Sequence, residues 1–265
     1  MEEILLPSKI DLTPGKDDFS ATLVVEPCYY GYGTTLGNAL RRVLLSSLPG
    51  AAVTAVKIDG ASHEFSALKG VKEDVLEIIL NLKELRLKIH SKEPVRLSLS
   101  AKGDKKVTGA DIDPNSDVEI ANPELLIATL TDKKSEFNME IIVEPGRGYV
   151  PVEERDNEKP ELGTIAVDAV FSPVREVGYR VENARVGDVT NYDKLVMDIE
   201  TDGTITPKEA VSQAVNILLD HFSLLADREG DTPEEEVVQE SDIVEAESPA
   251  EEEVEVVTKK SRKKK

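Results

Sequence analysis

The sequence predicts an α+β fold: short strands dominate it, a few helices fall irregularly among them, and no repeat recurs at any period of about 20 to 50 residues. Residues 19–29 read as a strand that ends in Gly31 and Gly33, and residues 34–48 follow as a helix stopped by Pro49 and Gly50. Residues 53–58 are strand-like before the turn at Asp59-Gly60. Helical period returns over residues 71–83, with Val75, Ile78, Ile79 and Leu82 on one face. Residues 85–89 and 95–99 alternate as short strands, and Gly103-Asp104 and Asp113-Pro114 mark turns beyond them. Further strands are predicted at residues 118–120, 139–143, 163–171, 177–186 and 194–201. The last helix, residues 207–225, is the best marked. Thr206 caps it, Pro207 takes the first helical position, and Glu209 completes a capping box.

At 265 residues the chain is long enough to bury a core without staples. Its single cysteine, Cys28, cannot close an intramolecular disulfide, which suits a reducing compartment. No apolar run approaches the ~20 residues of a membrane span, and MEEILLPSKI lacks the basic-then-apolar layout of a signal peptide. The expectation is therefore a cytoplasmic protein. The formal charge is −20, and residues 227–265 hold 14 acidic against 7 basic residues, leaving −13 on the first 226. Such a field repels a phosphate backbone rather than recruiting one. The final stretch, acidic and then KKSRKKK, is too charged and too poor in aromatics to fold, so residues 229–265 are expected to be a disordered tail.

Two helices carry more apolar surface than one core needs. On residues 34–48, Leu36, Leu40, Val43, Leu44 and Ser47 share one face, which suits the chain's own sheet, while Asn38, Arg41, Arg42 and Leu45 share another. On residues 207–225, Val211, Val215, Leu218, Phe222 and Leu225 form one stripe and Ala210, Ile217 and Leu224 a second. Each helix is either sandwiched inside one core or covered by another subunit, where arginine beside apolar anchors is enriched.

Catalytic and ligand motifs are weak. Gly31-Tyr-Gly33-Thr-Thr-Leu-Gly37 follows a strand and opens a helix, but its third glycine comes one residue late for a dinucleotide loop. His63, His90 and His221 are scattered without ligand spacing, so no metal is expected. Asp17-Asp18 and Glu153-Glu154 would point to opposite faces of a strand and read as solvated charges. The segment from Glu144 to Val150 reads as a tight turn that starts a strand. No catalytic residues and no cofactor are expected. An acidic chaperone or adaptor would share the interaction helices, and a nucleotide-binding enzyme would rest on the glycine loop alone.

The run YGTTLGNALRRVLLSSLPG, residues 32–50, closely resembles the signature of the amino-terminal domain of bacterial RNA polymerase alpha subunits. The resemblance continues, in family order, through GVKEDVLEIILNLK (70–83), GRGYVP (146–151), VDA (167–169), VENARV (181–186), DKLV (193–196) and TDGTI (201–205). It implies a dimerisation subdomain from residues 1–49 and 174–228, with a mainly β subdomain, residues 50–173, inserted between them. It also implies a homodimer that scaffolds the beta and beta-prime subunits of a bacterial, nucleoid-associated transcription enzyme. Omega and sigma join the full assembly, and DNA is met only through that assembly, with no membrane involved. The dimer interface would include Leu36, Leu40, Leu44, Val211, Val215, Leu218 and Phe222. Arg42, with Arg41 beside it, and Lys83 resemble contacts to beta. Asp168, Arg185 and Lys194 resemble contacts to beta-prime. The small helical carboxy-terminal domain of the family has no counterpart in the acidic and lysine-rich stretch, so upstream-DNA and activator contacts through it are not expected.

Overall fold

The computed structural model describes residues 4–155, 163–186 and 189–226. The predicted disordered tail, residues 229–265, lies outside them. In chain order the strands are β1 (Lys9–Pro14), β2 (Ser20–Cys28), β3 (Pro49–Ile58), β4 (Leu87–Ile89), β5 (Val95–Lys102), β6 (Lys106–Thr108) and β7 (Val118–Ile120). They continue as β8 (Leu126–Thr129), β9 (Glu136–Arg147), β10 (Tyr149–Val150), β11 (Thr164–Ala166), β12 (Ala169–Val170), β13 (Val174–Val186) and β14 (Val189–Thr201). The helices are α1 (Tyr32–Ser46), α2 (Val75–Lys83) and α3 (Pro207–Ala226).

An antiparallel sheet of four strands runs β1-β2-β14-β13, joining the two ends of the described chain. Its inward residues, among them Leu23, Val25, Leu195, Met197 and Ile199, pack with Leu40 and Leu44 of α1 and Ala210 and Ala214 of α3. Strand alternation puts the residues between them on the opposite face. A second sheet runs β5-β9-β3-β4-β7, with β11 paired to β3. Its core is closed by Val75, Ile78, Ile79 and Leu82 of α2, the four residues that the helical period grouped. Two short pairs, β6 with β8 and β10 with β12, complete the fold.

Several boundaries shift for local reasons. Pro49 ends the approach of α1 and is also the first residue of β3, a position where its missing N–H costs no ladder bond. α2 starts at Val75 rather than Val71, because the Asp74 carboxylate caps it by accepting from the Glu77 amide at 2.8 Å. The residues before that cap serve β8 instead: Lys72 donates to the Thr129 carbonyl, and the Glu73 carboxylate accepts from the Thr129 amide at 2.6 Å. The strand predicted over residues 163–171 is broken into β11 and β12, with Asp168 in the break. β1, β6, β8 and β10 are additional strands, and Glu153 and Glu154 lie exposed in a 3₁₀ turn. The box at the start of α3 forms as expected: Glu209 accepts from the Thr206 amide at 3.0 Å and donates its own amide to the Thr206 hydroxyl at 3.3 Å. The Thr206 amide holds the Glu209 carboxyl below its ordinary pKa.

Candidate subunit-interaction surfaces

α1 sits unusually low on its sheet. Gly33 and Gly37 face β13 and β14, and a Cβ on Gly37 would come within 2.6 Å of Tyr179 and 2.9 Å of Leu195. Leu40 and Leu44 continue the stripe that the two glycines begin, so both are buried in the chain's own core. That corrects their assignment to a dimer interface: a helix seated through Gly33 and Gly37 must point Leu40 and Leu44 inward, and Leu44 has no exposed surface left. Leu36 stands one step around the helix and is 37% exposed.

The N-terminus of α1 is held from outside the helix. Its cap residue, Gly31, adopts a left-handed conformation (φ 81°) and brings no side chain. The Asp193 carboxylate of β14 takes its place, one oxygen accepting from the amides of Gly31 at 2.9 Å and Gly33 at 3.2 Å. The amides that a dinucleotide phosphate would need are thus already used, and the glycines serve close packing instead.

α3 divides along its length. Pro207, Ala210 and Ala214 are buried, and Val211, Ile217 and Leu218 pack half-buried against the same core. Beyond them Val215, Leu219, Phe222, Leu224 and Leu225 are exposed, Phe222 at 60% and Leu224 at 70%. The small residues Ala210 and Ala214 meet the core, and from Leu219 onward the large apolar residues of both stripes face solvent. Of the predicted interface set, Leu36, Val215 and Phe222 are therefore exposed, and Val211 and Leu218 half-buried.

Arg41 and Arg42 are exposed on α1. Lys83, the last residue of α2, is joined to Asp168: its ammonium donates to the carboxylate at 2.9 Å, and the Val152 amide donates to the other oxygen at 3.1 Å. The Lys83 hydrogen bond, followed by that from Val152, holds the Asp168 carboxyl below its ordinary pKa. Two residues that resemble contacts to different partners are thus one ion pair. Arg155, which no sequence motif singles out, anchors the same break by donating to the carbonyls of Thr54 and Val167. Its only sequence signal is its place shortly after the GRGYVP block.

Arg185 and Lys194 lie on the β13–β14 hairpin. Lys194 belongs to a ladder of alternating charge on the outer face of the sheet, crossing all four strands from Asp11 and Lys9 through Glu26, Lys194, Glu182 and Arg180 to Asp198. Lys194 is 3.5 Å from Glu182 and 4.0 Å from Glu26, while Arg180 bonds Glu182 at 3.1 Å and Asp198 at 3.0 Å. The hydrogen bond donated by Arg180 lowers the pKa of Glu182, and those that the Lys9 ammonium donates to Glu26 and Asp11 raise the pKa of Lys9. Of the remaining titratable candidates, His63 meets the Ser66 hydroxyl and His221 the Ile217 carbonyl. Cys28 is buried, and that burial raises its thiol pKa. Among the described residues no three His, Cys, Asp or Glu side chains are grouped to hold a metal, and no helix is long and apolar enough to cross a membrane.

Comparison with known proteins places these surfaces in context. Residues 56–172 match the family model described as the RNA polymerase Rpb3/RpoA insert domain. The chain is 57% identical over 201 residues to the DNA-directed RNA polymerase subunit alpha of Oceanobacillus iheyensis, covering 76% of this chain and 64% of that protein. It is 53% identical over 227 residues to the subunit of the same name from Symbiobacterium thermophilum, covering 86% of this chain and 72% of the relative. The alignments thus span about two thirds of the relatives' own lengths. At 53% identity over 227 residues, covering 72% of the relative, the chain belongs to the family of DNA-directed RNA polymerase alpha subunits.

Proposed function

We propose that the chain homodimerises through α1 and α3, and that the dimer scaffolds the beta and beta-prime subunits of a DNA-directed RNA polymerase. The observation that carries this reading is the C-terminal part of α3, where Leu219, Phe222, Leu224 and Leu225 stand in solvent beyond a half that is packed on the core. A soluble chain seldom leaves so many large apolar side chains along one helix without a partner. The dimerisation subdomain would comprise residues 1–49 and 174–228, with residues 50–173 as the insert. Nucleotidyl transfer and its metal chemistry belong to the large subunits in this reading, and the chain contributes no catalytic group. Omega, sigma and DNA are met only in the full assembly, associated with the bacterial nucleoid.

Arg41 and Arg42 would meet beta, since exposed guanidiniums make forked bonds to carboxylates or carbonyls with fixed geometry. Lys83 and Asp168 would act as a preformed pair, and Arg185 and Lys194 would present the hairpin to beta-prime. Co-purification of the full chain with tagged beta and beta-prime tests the assignment. Recovery of both with wild type, and loss of beta alone with Arg42→Ala, is the expected pattern. Normal recovery of beta with that variant would contradict the arginine's role.

A further inference from the structure

We propose that Asp193 is a positioning residue that locks α1 to the β13–β14 hairpin, holding Arg41 and Arg42 on the helix in one fixed relation to Arg185 and Lys194 on the hairpin. The proposal rests on the polymerase-subunit reading of the chain.

The first turn of a helix leaves amides without intrahelical partners, and α1 brings no capping side chain of its own, because its cap is Gly31. Asp193 is only 7% exposed, yet its carboxylate is placed to serve two of those amides with a single oxygen. A negative charge there also meets the positive end of the helix dipole. The strand is irregular at this point: Asp193 pairs with Cys28, and the register with β2 shifts between Asp193 and Leu195. Such irregularities re-aim side chains.

The approach leaves no slack. A Cβ on Gly33 would lie 2.9 Å from the Asp193 Cβ and 3.0 Å from a Val181 methyl. The neighbour Lys194 turns to the other face, into the ladder with Glu182 and Glu26. Two adjacent residues of β14 therefore fasten one helix on one face and one charge ladder on the other. Any tilt of α1 about its N-terminus is tied through Asp193 to the strand that carries Lys194.

The test compares Asp193→Ala, which removes the acceptor, with Asp193→Asn, whose amide oxygen can still accept from both glycines. Hydrogen exchange is followed in the full-length chain at the amides of residues 31–36 and, as a control in the other core, of residues 78–83. Recovery of beta and beta-prime is measured with the same proteins. Asp193→Ala is expected to speed exchange at 31–36 on the order of tenfold without changing 78–83, and to lower recovery of both large subunits severalfold, with Asp193→Asn restoring both readouts. Wild-type exchange at 31–36 would overturn the proposal, as would equal acceleration at 78–83, which marks a general loss of stability. Faster local exchange with undiminished recovery would overturn the positioning role while leaving the polymerase reading intact. Failure of wild type to recover either subunit would instead sink that reading. If Asp193→Ala is insoluble, Asp193→Leu, which keeps the branched four-atom outline of the side chain but lacks an acceptor, makes the same comparison with Asp193→Asn.

Discussion

Lys83 and Asp168 lie 85 residues apart in sequence, and their meeting depends on two local details. α2 ends with Lys83 as its last residue, where Glu84 caps it, and the break between β11 and β12 holds Asp168 within reach of that ammonium. Both side chains are about one-third exposed, so the pair is worth at most about 1 kcal/mol to stability. Because folding lowers the pKa of Asp168, its contribution is complete above the ordinary carboxylate range and fades as pH falls through the lowered value. Asp168→Asn should therefore lower the melting temperature slightly at neutral pH and converge with wild type in acid; a gap that widens in acid would contradict the pairing. Gly37 gives a sharper residue-scale prediction. A methyl there would meet Tyr179 and Leu195 inside normal contact distance, so Gly37→Ala should cost about 1–3 kcal/mol in urea unfolding. Neither residue's role is legible from periodicity, since both depend on what the chain brings from far away.

At the scale of elements, apolar period located α1, α2 and α3 and identified the face of α2 that closes its core. On α1 it grouped Leu40, Val43 and Leu44 on the face that meets the chain's own sheet, but a hydrophobic wheel gives no weight to glycine, and Gly33 and Gly37 are what set the helix so close. On α3 it found two stripes without deciding which meets the chain's own core; the small residues Ala210 and Ala214 pack there, leaving Phe222 outside. The consequence is a separation of effects. Leu44→Ala should cost about 2–5 kcal/mol of stability through a buried cavity. Leu219→Asp combined with Phe222→Asp should leave the monomer's thermal unfolding nearly unchanged while halving the particle mass in sedimentation. A double variant that keeps wild-type mass would remove α3 from the interface.

At the scale of the whole molecule, β2 pairs with β14 and so joins residues more than 160 positions apart, for example Cys28 with Asp193. No local pattern reports such a pairing; the discontinuous arrangement was expected only through resemblance to the family. The ladder from Asp11 to Asp198 was invisible for the same reason, as its charges come from four strands. With a formal charge of −20, the free chain should not retard duplex DNA at physiological salt, and retardation that persists there would contradict contact through the assembled enzyme alone. Dimerisation supports everything else in the account, because in the proposed assembly beta and beta-prime would each meet one of two copies. Sedimentation equilibrium of the full chain at micromolar concentration tests it most directly. The account predicts a particle of twice the 29.0 kDa chain mass, and a single species of one chain mass would contradict it.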